Sequence, residues 1–344
     1  MKIFYIGLEN QLVIIQEQET DYSISTHLEK TKVNHIAFHP ENNAIMYVAT
    51  DHGFWISKDS GESYKQLNNG LTSTNVTALT VSPHKLTNGQ YEIFIGTEPS
   101  RIFSTIDEGE SWNELTGLQN LPSKSKWSFP PRPESHYVRW LTTSLTDANY
   151  LAASIEAGAV IYTTDHGKTW NDRAEMGPID VHTLLMHPDA PARLYAANGG
   201  LVTGGESASY AESEDGGHSW AFMSEGLGEH TYLYNMILHP TDPDTRLVSA
   251  SKSARTAHHQ SGYATVYLKS GDEDWEELAE GLPTEGVYSH QLANDPNDVG
   301  GFYAQNNKGI YHLKSDSNMW KWLDIPWLKD LFEMRPYFFT VIDR

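Results

Sequence analysis

Short apolar runs separated by turns fill almost the whole chain. Pairs of such runs enclose a turn in MYVATDHGFWIS, IFIGTEPSRIFS, LAASIEAGAVIYT and FYAQNNKGIYHL. Another run comes before several of these pairs and ends in a turn, as in VNHIAFHP, VHTLLMHPDAP and NMILHPTDP. Runs of this length bounded by turn residues predict β-strands.

An eight-residue motif follows four of the strand pairs. Its copies share Ser/Thr, Asp, Gly, Ser/Thr and an aromatic residue at fixed offsets: SKDSGESY (57–64), TIDEGESW (105–112), TTDHGKTW (163–170) and SEDGGHSW (213–220). Weaker copies end at Trp275, Trp320 and Tyr22. A fourth short strand follows the aromatic residue, as in YKQL, WNEL, WAFM, WEEL and WKWL.

Four short antiparallel strands in each unit of about 50 residues, seven times over, predict an all-β, seven-bladed β-propeller. We expect one domain over residues 1–344. The first unit begins at its second strand, IFYIG, and the chain ends in RPYFFTVID. Residues 335–343 should therefore supply the innermost strand of blade one and close the ring, which removes open sheet edges.

The four intact motif copies resemble the Asp-box, or bacterial neuraminidase, repeat. This repeat occurs in sialidases, some β-glucan hydrolases, sortilin-type receptors and the photosystem II assembly factor. The resemblance covers nearly the whole chain as a repeat and implies little about activity. In those families the boxes lie on the face opposite the ligand site, so the resemblance implies a structural role for the box.

Composition narrows the classes of partner. The chain has 45 acidic and 24 basic residues, a formal charge of −21 and no cysteine. Nucleic acids and anionic membranes are bound through Lys/Arg clusters, so we expect neither as a partner. The absence of cysteine excludes thiolate metal sites. The start, MKIFYIGLENQLVIIQ, lacks the pattern of a signal peptide, so we expect a cytoplasmic protein.

The strand starts that face away from the boxes carry the candidate site. Aligning the innermost strands on their turns gives one residue per blade: Asn34, Thr77, Arg139, His182, Tyr234, His290 and Arg335. Charged and titratable side chains converging on one channel need a ligand, a metal or one another to offset their desolvation. We therefore expect a small polar ligand, anionic or carbohydrate-like, at the mouth of the channel.

Turns and insertions on the same face add further candidates. The turns contribute Glu98, Arg101 and Glu156. An insertion at 121–138 should bring Trp127 and His136 to the rim. A second, at 252–263, carries Lys252, Arg255, His258 and His259, and glycines 199, 200, 204 and 205 loosen the turn of blade five. The repeated His-Pro turns, by contrast, indicate structural roles for His39, His187 and His239.

The first functional hypothesis is an enzyme, a hydrolase or a lyase. The sialidase resemblance implies a carboxylate clamp from Arg139, Arg335 and Arg101, and a Tyr–Glu pair from Tyr234 with Glu98 or Glu156. The Arg-Ile-Pro motif of sialidases is absent, so a standard sialidase is not expected. Glu98 and Glu156 are the two carboxylates that a glycosidase would need.

Two alternatives to a glycosidase-like enzyme remain. In a lyase, His182 and His290 would act as a base or hold a divalent metal, although no cofactor is firmly implied. Alternatively, the protein is a non-catalytic binding or assembly platform, as in the photosystem factor and sortilin. The chemistry of the channel mouth distinguishes these hypotheses, because converged Arg, His, Tyr and Glu favour a small polar ligand. The sequence makes no prediction of oligomeric state.

Overall fold

The chain forms a ring of seven antiparallel sheets, as predicted. The computed structural model describes residues 1–19, 21–200 and 209–344. Blade one contains β1 (Lys2–Leu8), β2 (Leu12–Glu17) and β3 (Tyr22–His27), with the last strand, β27 (Pro336–Asp343), as its innermost member. Blade two contains β4 (Val33–His39), β5 (Asn42–Thr50), β6 (Gly53–Ser57) and β7 (Lys65–Gln66). Blade three contains β8 (Val76–Lys85), β9 (Tyr91–Thr97), β10 (Ile102–Thr105) and β11 (Asn113–Glu114).

The remaining blades follow in chain order, each numbered outward from the channel. Blade four contains β12 (Val138–Thr143), β13 (Leu151–Ile155) and β14 (Ala159–Thr163). Blade five contains β15 (Val181–His187), β16 (Ala190–Asn198), β17 (Tyr210–Ser213) and β18 (Ala221–Phe222). Blade six contains β19 (Tyr232–His239), β20 (Asp242–Ser251), β21 (Thr265–Ser270) and β22 (Glu276–Glu277). Blade seven contains β23 (Gln291–Asn294), β24 (Phe302–Asn306), β25 (Gly309–Leu313) and β26 (Lys321–Trp322).

Helical turns occur only in the connections of the described chain. Three are 3₁₀-helices, at Thr116–Asn120, Pro122–Lys126 and Lys329–Phe332. The fourth, α1, is a single α-helical turn at Ala254–Ala257 whose Ser253 and Thr256 form a capping box. The 252–263 insertion is therefore an ordered loop, held close to blade six.

The ring closes through β27. This strand pairs antiparallel with β1, so that Ile3 lies opposite Ile342 and Tyr5 opposite Thr340. Each innermost strand also contacts the next around the channel, including β23 with β27 and β27 with β4. The predicted closure by the C-terminal strand is confirmed, and it leaves no open seam between blades one and seven.

Blade four departs from the four-strand pattern. Its outer strand is reduced to one bridge between Tyr162 and Asn171. The next residue, Asp172, instead accepts a 2.7 Å hydrogen bond from the backbone of Ser123 in the 121–138 insertion. After Asn171 the chain therefore bonds to the insertion and no longer to the sheet of blade four.

The boxes form a repeated hydrogen-bonded turn between the third and fourth strands. In the first box, Ser57 Oγ donates to Asp59 and accepts from the Gly61 amide, both at 2.8 Å. The Asp59 carboxylate also accepts from the Ser63 amide at 2.9 Å. The boxes of blades three, four and five repeat all three bonds. The bonds from Ser63 and Ser57 lower the pKa of Asp59 to about 2, so the turn is held by an ionised carboxylate.

Each box also contacts the preceding blade. Gly61 has a positive φ of 92°, and a Cβ there would lie 2.5 Å from Ile14 of blade one. The indole of Trp112 donates to the Leu67 carbonyl of blade two at 2.9 Å and packs against Phe54. The indoles of Trp275 and Trp320 make the same bond to blades five and six. The boxes therefore hold neighbouring blades together.

Candidate functional site

The channel opens into a cavity of about 580 Å³ on the face opposite the boxes. We call this the cavity face. Six of the seven aligned strand-start residues line it: Asn34, Thr77, Arg139, His182, Tyr234 and Arg335. The innermost strands all begin on this face, because the chain leaves the fourth strand of one blade there and enters the next. The topology therefore brings together residues up to 301 positions apart, from Asn34 to Arg335.

Tyr234 lies at the centre of a cluster of positive charge. The Arg335 guanidinium donates from Nη2 to the Tyr234 phenol at 3.3 Å. On blade four, the Arg139 guanidinium carbon lies 5.0 Å from the centroid of the same ring. Lys32, before β4, lines the same cavity, and its ammonium lies 4.0 Å above the Tyr337 ring. We call Lys32, Arg139 and Arg335 the cation cluster.

The cation cluster changes the acidity of Tyr234. Burial alone would raise the pKa of this phenol, because it disfavours the phenolate. The neighbouring positive charges, Arg139 first and then Arg335 and Lys32, outweigh burial and lower the pKa to about 7. Burial in the same cluster lowers the pKa of Lys32 to about 8. Two groups that are ordinarily inert near neutral pH thus titrate close to it.

A buried carboxyl–imidazole group lies beside the cluster. His182 Nε2 is 3.6 Å from Glu156 Oε1 and 4.0 Å from Asp180 Oδ1. His182 Nδ1 donates to the Leu233 carbonyl at 2.6 Å, which leaves Nε2 for the carboxylates. Arg139 Nε lies 3.5 Å from Glu156 Oε2 and joins this group to the cation cluster.

The two carboxyls differ in acidity although they share one imidazole. Burial opposes the ionisation of Glu156, but His182 and Arg139 outweigh it, and the net pKa is lowered. For Asp180, burial prevails and the nearby Glu156 charge adds to it, so its pKa rises to about 6. Both carboxylates raise the pKa of His182 against its burial. Opposite shifts in neighbouring carboxyls are the pattern of an acid and its ionised partner.

Glycine makes this close packing possible. A Cβ on Gly199 would lie 2.2 Å from Asp180 Oδ2 and 2.6 Å from His182 Cε1. Of the four glycines predicted to loosen this turn, 199 and 200 line the cavity, whereas 204 and 205 lie outside the described residues.

The 252–263 loop covers one side of the cavity. His258 Nδ1 lies 2.6 Å from Arg335 Nη2, and its Nε2 lies 2.8 Å from the Tyr232 hydroxyl. The guanidinium can only donate, so Nδ1 accepts and Nε2 carries the proton. Burial, reinforced by Arg335, holds the pKa of His258 far below its usual range. Lys252 also lines the cavity, half-exposed and paired with Glu229.

Glu98 lines the cavity but is already engaged at the rim. Its carboxylate pairs with Arg132 at 2.8 Å and accepts from Asn75 at 3.0 Å and from Ser135. The predicted carboxylate pair of Glu98 and Glu156 is therefore not the closest pair in the cavity. Glu156 and Asp180 form a closer pair, with one carboxylate oxygen of each within 4.8 Å of the other.

Four predicted site residues lie outside the cavity lining. His290 is fully buried: its Nε2 donates to the Ala264 carbonyl at 3.1 Å, and Nδ1 faces the Asn306 amide at 3.0 Å. Burial lowers the pKa of His290 to about 4, which fits a neutral structural histidine and not a base or a metal ligand. Arg101 turns outward to Glu114 at 2.6 Å.

Trp127 and His136 are the other two, and they stabilise the insertion. Trp127 is buried in the hydrophobic core between blades three and four, where its indole donates to Ser123 at 2.9 Å. His136 packs edge-on against it, with ring centroids 5.5 Å apart. Neither side chain lines the cavity, although residues 129–132 of the same insertion do.

The alignment also missed several lining residues. Residues two positions before the aligned ones line the cavity as well: Lys32, Asn75, Tyr137, Asp180 and Tyr232. Side chains two apart on a strand point to the same side. A second ring of candidates was therefore present in the sequence, two positions upstream of the first.

Two groups of described residues offer donors at metal-binding distances. Glu156, Asp180 and His182 form one, and Asp295, Asp298 and His312 the other. In the second, the Lys2 ammonium already binds Asp295 at 2.9 Å and joins blade one to blade seven. In the first, Arg139 occupies the side of Glu156 away from His182. The contacts favour ion pairing in both groups.

Below the cavity the channel narrows and then widens again. The waist leaves a space of only about 10 Å³, and it is closed partly by His35, Trp140 and Phe338. The ring centroid of His35 lies 4.8 Å from that of Trp140 and 4.4 Å from that of Phe338. A second cavity of about 560 Å³ lies on the box face and has a largely apolar lining. Two of the His-Pro turns, at His187 and His239, line this second cavity. In all three turns the histidine, His39, His187 or His239, accepts the backbone amide two residues on, as its structural role predicts.

The fold has relatives among solved structures. The chain superposes on an ancestral GH74 enzyme with a TM-score of 0.65 at 14% identity, covering 94% of this chain and 40% of that one. The GH74 xyloglucanase from Xanthomonas campestris gives a TM-score of 0.60 at 15% identity, with 85% and 45% covered. The structure of YCF48 bound to D1 peptide gives a TM-score of 0.57 at 18% identity, and the match covers 85% of this chain and 81% of that one. At these identities the likeness shows the seven-bladed fold.

Sequence comparison gives one partial relative. A xyloglucanase of Hypocrea jecorina (strain QM6a) is 29% identical over 122 residues, which is 35% of this chain and 14% of that protein. The chain thus spans a small part of the curated relative and less than half of the GH74 structures. No family model matches the chain, so the Asp-box resemblance stays a prediction. Within the described residues, no helix is long and apolar enough to cross a membrane.

Proposed function

We propose that the protein is a carbohydrate-acting hydrolase whose substrate carries an anionic group and binds in the cavity on the cavity face. The observation that carries this proposal is the Glu156–Asp180 pair: two carboxyls within 4.8 Å, with pKa values displaced in opposite directions, in the wall of a polar cavity. The likeness to GH74 enzymes and to a xyloglucanase fragment supports the choice of a glycoside as substrate.

The two carboxyls have separate roles. Asp180, with its raised pKa, donates a proton to the leaving oxygen as the glycosidic bond breaks. Glu156, ionised, attacks the anomeric carbon, and water then releases the sugar with Asp180 as base. One oxygen of each carboxyl lies within 4.8 Å of the other, which is too close for the wider spacing of inverting glycosidases, about 6.5–9.5 Å, so we propose retention of configuration. His182 is a positioning residue, because it orients both carboxylates through Nε2.

The cation cluster supplies the binding energy for an anionic group. Guanidinium groups match a carboxylate bidentately, and Arg139 and Arg335 approach Tyr234 from two different blades. The whole chain is acidic, so this local excess of positive charge is specific to the cavity. A uronate or another sugar acid satisfies both features, the glycosidic bond and the charge.

The test is hydrolysis of a panel of neutral and acidic oligosaccharides, read as newly formed reducing ends. We expect cleavage of an acidic member, with Glu156→Gln and Asp180→Asn each lowering kcat at least a hundredfold while the fold is kept. Glu110→Gln, a matched carboxyl change on the box face, should leave the rate unchanged. Equal activity in all four proteins would refute the assignment.

A second candidate is a non-catalytic platform that binds a peptide carboxylate. It is supported by the likeness to YCF48 bound to D1 peptide, of which this chain covers 81%. The same cation cluster would hold a terminal or side-chain carboxylate. Tight binding of an acidic peptide, without turnover of any glycoside in the panel, would favour this candidate.

A further inference from the structure

We propose that Tyr234 is the internal counter-anion of the cation cluster, and that an anionic ligand takes over this role while Tyr234 gains a proton. The inference rests on the anionic ligand of the proposed function and is independent of the bond that is cleaved. In the free protein the negative charge between Arg139 and Arg335 is the phenolate oxygen. In the complex the ligand carboxylate supplies this negative charge, and the Tyr234 phenol is neutral.

The geometry supports this role because carboxylates of the described chain neutralise only part of the cluster. Among the described residues, Lys32 and Arg335 form no ion pair with a carboxylate. Arg139 has only the 3.5 Å contact with Glu156, whose other oxygen faces His182. By contrast, both guanidinium carbons lie within 5.7 Å of the centroid of the Tyr234 ring, and Arg335 donates to its oxygen.

Carboxylates of the described chain lie near the cluster, but none of them pairs with Arg335, the cation that donates to Tyr234. Glu156 is shared between Arg139 and His182, and Asp51 favours the charged form of Lys32 from outside the cavity lining.

The histidines and the other tyrosines described around Tyr234 supply no negative charge. His258 accepts from Arg335 and stays neutral. Burial raises the pKa values of Tyr137, Tyr232 and Tyr337, so these phenols keep their protons. On blade five, His182 adds positive charge and further favours the Tyr234 phenolate.

The exchange conserves charge and protons. Above pH 7 and before binding, the cation cluster has the Tyr234 phenolate beside it; in the complex it has the ligand carboxylate and a neutral phenol. The Glu156–His182 pair is present in both states and does not change its charge. One proton passes from solvent to the Tyr234 oxygen, and no bond to carbon changes. Between the pKa of Tyr234 in the free protein, about 7, and that of Lys32, about 8, affinity for the anion should fall about tenfold, and above pH 8 it should fall more steeply because Lys32 loses its charge. Below pH 7 Tyr234 no longer changes the affinity, and the remaining pH dependence comes from Asp180, whose pKa is about 6.

The experiment follows tyrosinate absorbance in the near ultraviolet. The free protein should show one tyrosine titrating near neutral pH, far below ordinary phenols. At a pH one unit above that midpoint, D-glucuronate should abolish this tyrosinate signal, whereas D-glucose should leave it. Tyr234→Phe should lack the signal, and Tyr22→Phe, a matched change on blade one, should keep it. Absorbance reads the phenolate alone, so a proton taken up by Lys32 does not interfere.

Two outcomes would overturn the inference. The first is a free protein with no tyrosinate below the range of ordinary phenols. The second is a tyrosinate signal that persists with each of the three anions, glucuronate, galacturonate and acetate, when that anion is raised to its solubility limit. Failure of the hydrolase assignment looks different, since the tyrosinate signal and its loss with glucuronate would remain while the oligosaccharides stay uncleaved.

Discussion

The guanidinium of Arg335 donates to the phenol of Tyr234 at 3.3 Å, between residues 101 positions apart in the chain. Arg335 directly precedes β27, which closes blade one, and Tyr234 belongs to the innermost strand of blade six. The contact therefore crosses the channel mouth, and it connects the closing strand of the ring to the candidate site.

Replacing Arg335 should test both the site and the counter-anion. In Arg335→Gln, Tyr234 loses a hydrogen bond and a neighbouring positive charge, so its pKa should rise towards the ordinary value near 10. Affinity for an anionic ligand should fall about tenfold or more, because charged hydrogen bonds contribute about 1.5–3 kcal/mol. Spectrophotometric titration and calorimetry measure the two effects. Arg101→Gln is the control, since Arg101 pairs with Glu114 outside the cavity. Equal changes in both variants would contradict the assignment.

The rate of hydrolysis should depend on the protonation of Asp180. Its pKa is raised to about 6, and the acid form is the active one, so kcat/KM should fall about tenfold between pH 6 and 7. Above pH 7 kcat/KM should fall more steeply, because the Tyr234 phenolate also weakens binding of the anionic substrate. On the acid side, the rate should fall only where Glu156 gains a proton, below the ordinary range of glutamate. A pH–rate profile of the wild-type protein measures both limbs. A rate that instead rises from pH 6 to 8 would exclude Asp180 as the acid.

The box tryptophans should affect stability without affecting the site. Trp170→Ala removes a buried ring from the core between blades three and four and should lower the free energy of unfolding by about 3–5 kcal/mol. Ligand affinity of the folded fraction should be unchanged, because the ring lies away from the cavity. Denaturant unfolding and ligand titration give the two values. A stable variant that has lost only binding would place the site at the boxes.

The closing strand should be essential for a stable ring. Deleting residues 335–343 removes β27, so β1 loses its inner partner and exposes an apolar sheet edge. We expect a large loss of soluble protein and a broadened unfolding transition, measured by yield and by thermal melting. A truncated protein that melts like the intact chain would show that blade one does not need this strand.

The fold was predictable from the sequence because the pattern that specifies one blade recurs seven times. Each unit carries the same strand lengths, turn residues and box, so errors in one copy, such as the reduced outer strand of blade four, do not change the architecture. Closure was predictable for the same reason, since the unit that begins at IFYIG lacks an inner strand and RPYFFTVID lacks partners.

The site was predictable only in part. His182, Tyr234, Arg139 and Arg335 line the cavity because one strand position per blade faces the channel mouth. His290 has the same alignment but lies outside the lining, where Asn306 and the Ala264 carbonyl satisfy both of its nitrogens, and no spacing in the sequence shows this. Asp180 was missed because it lies two residues before the aligned strand-start residue His182, outside the single position per blade that the alignment compares.

The closed waist restricts the direction of travel through the molecule. His35, Trp140 and Phe338 leave space for about one water below Arg139 and Tyr234. A saccharide chain therefore cannot be threaded from one face to the other, and a ligand must leave by the opening through which it came. Below the mouth, such a blind-ended pocket admits chain termini or short oligomers and not the interior of a long polymer. If the proposed hydrolase activity is correct, each cut of a chain end bound there would be followed by complete dissociation of the substrate.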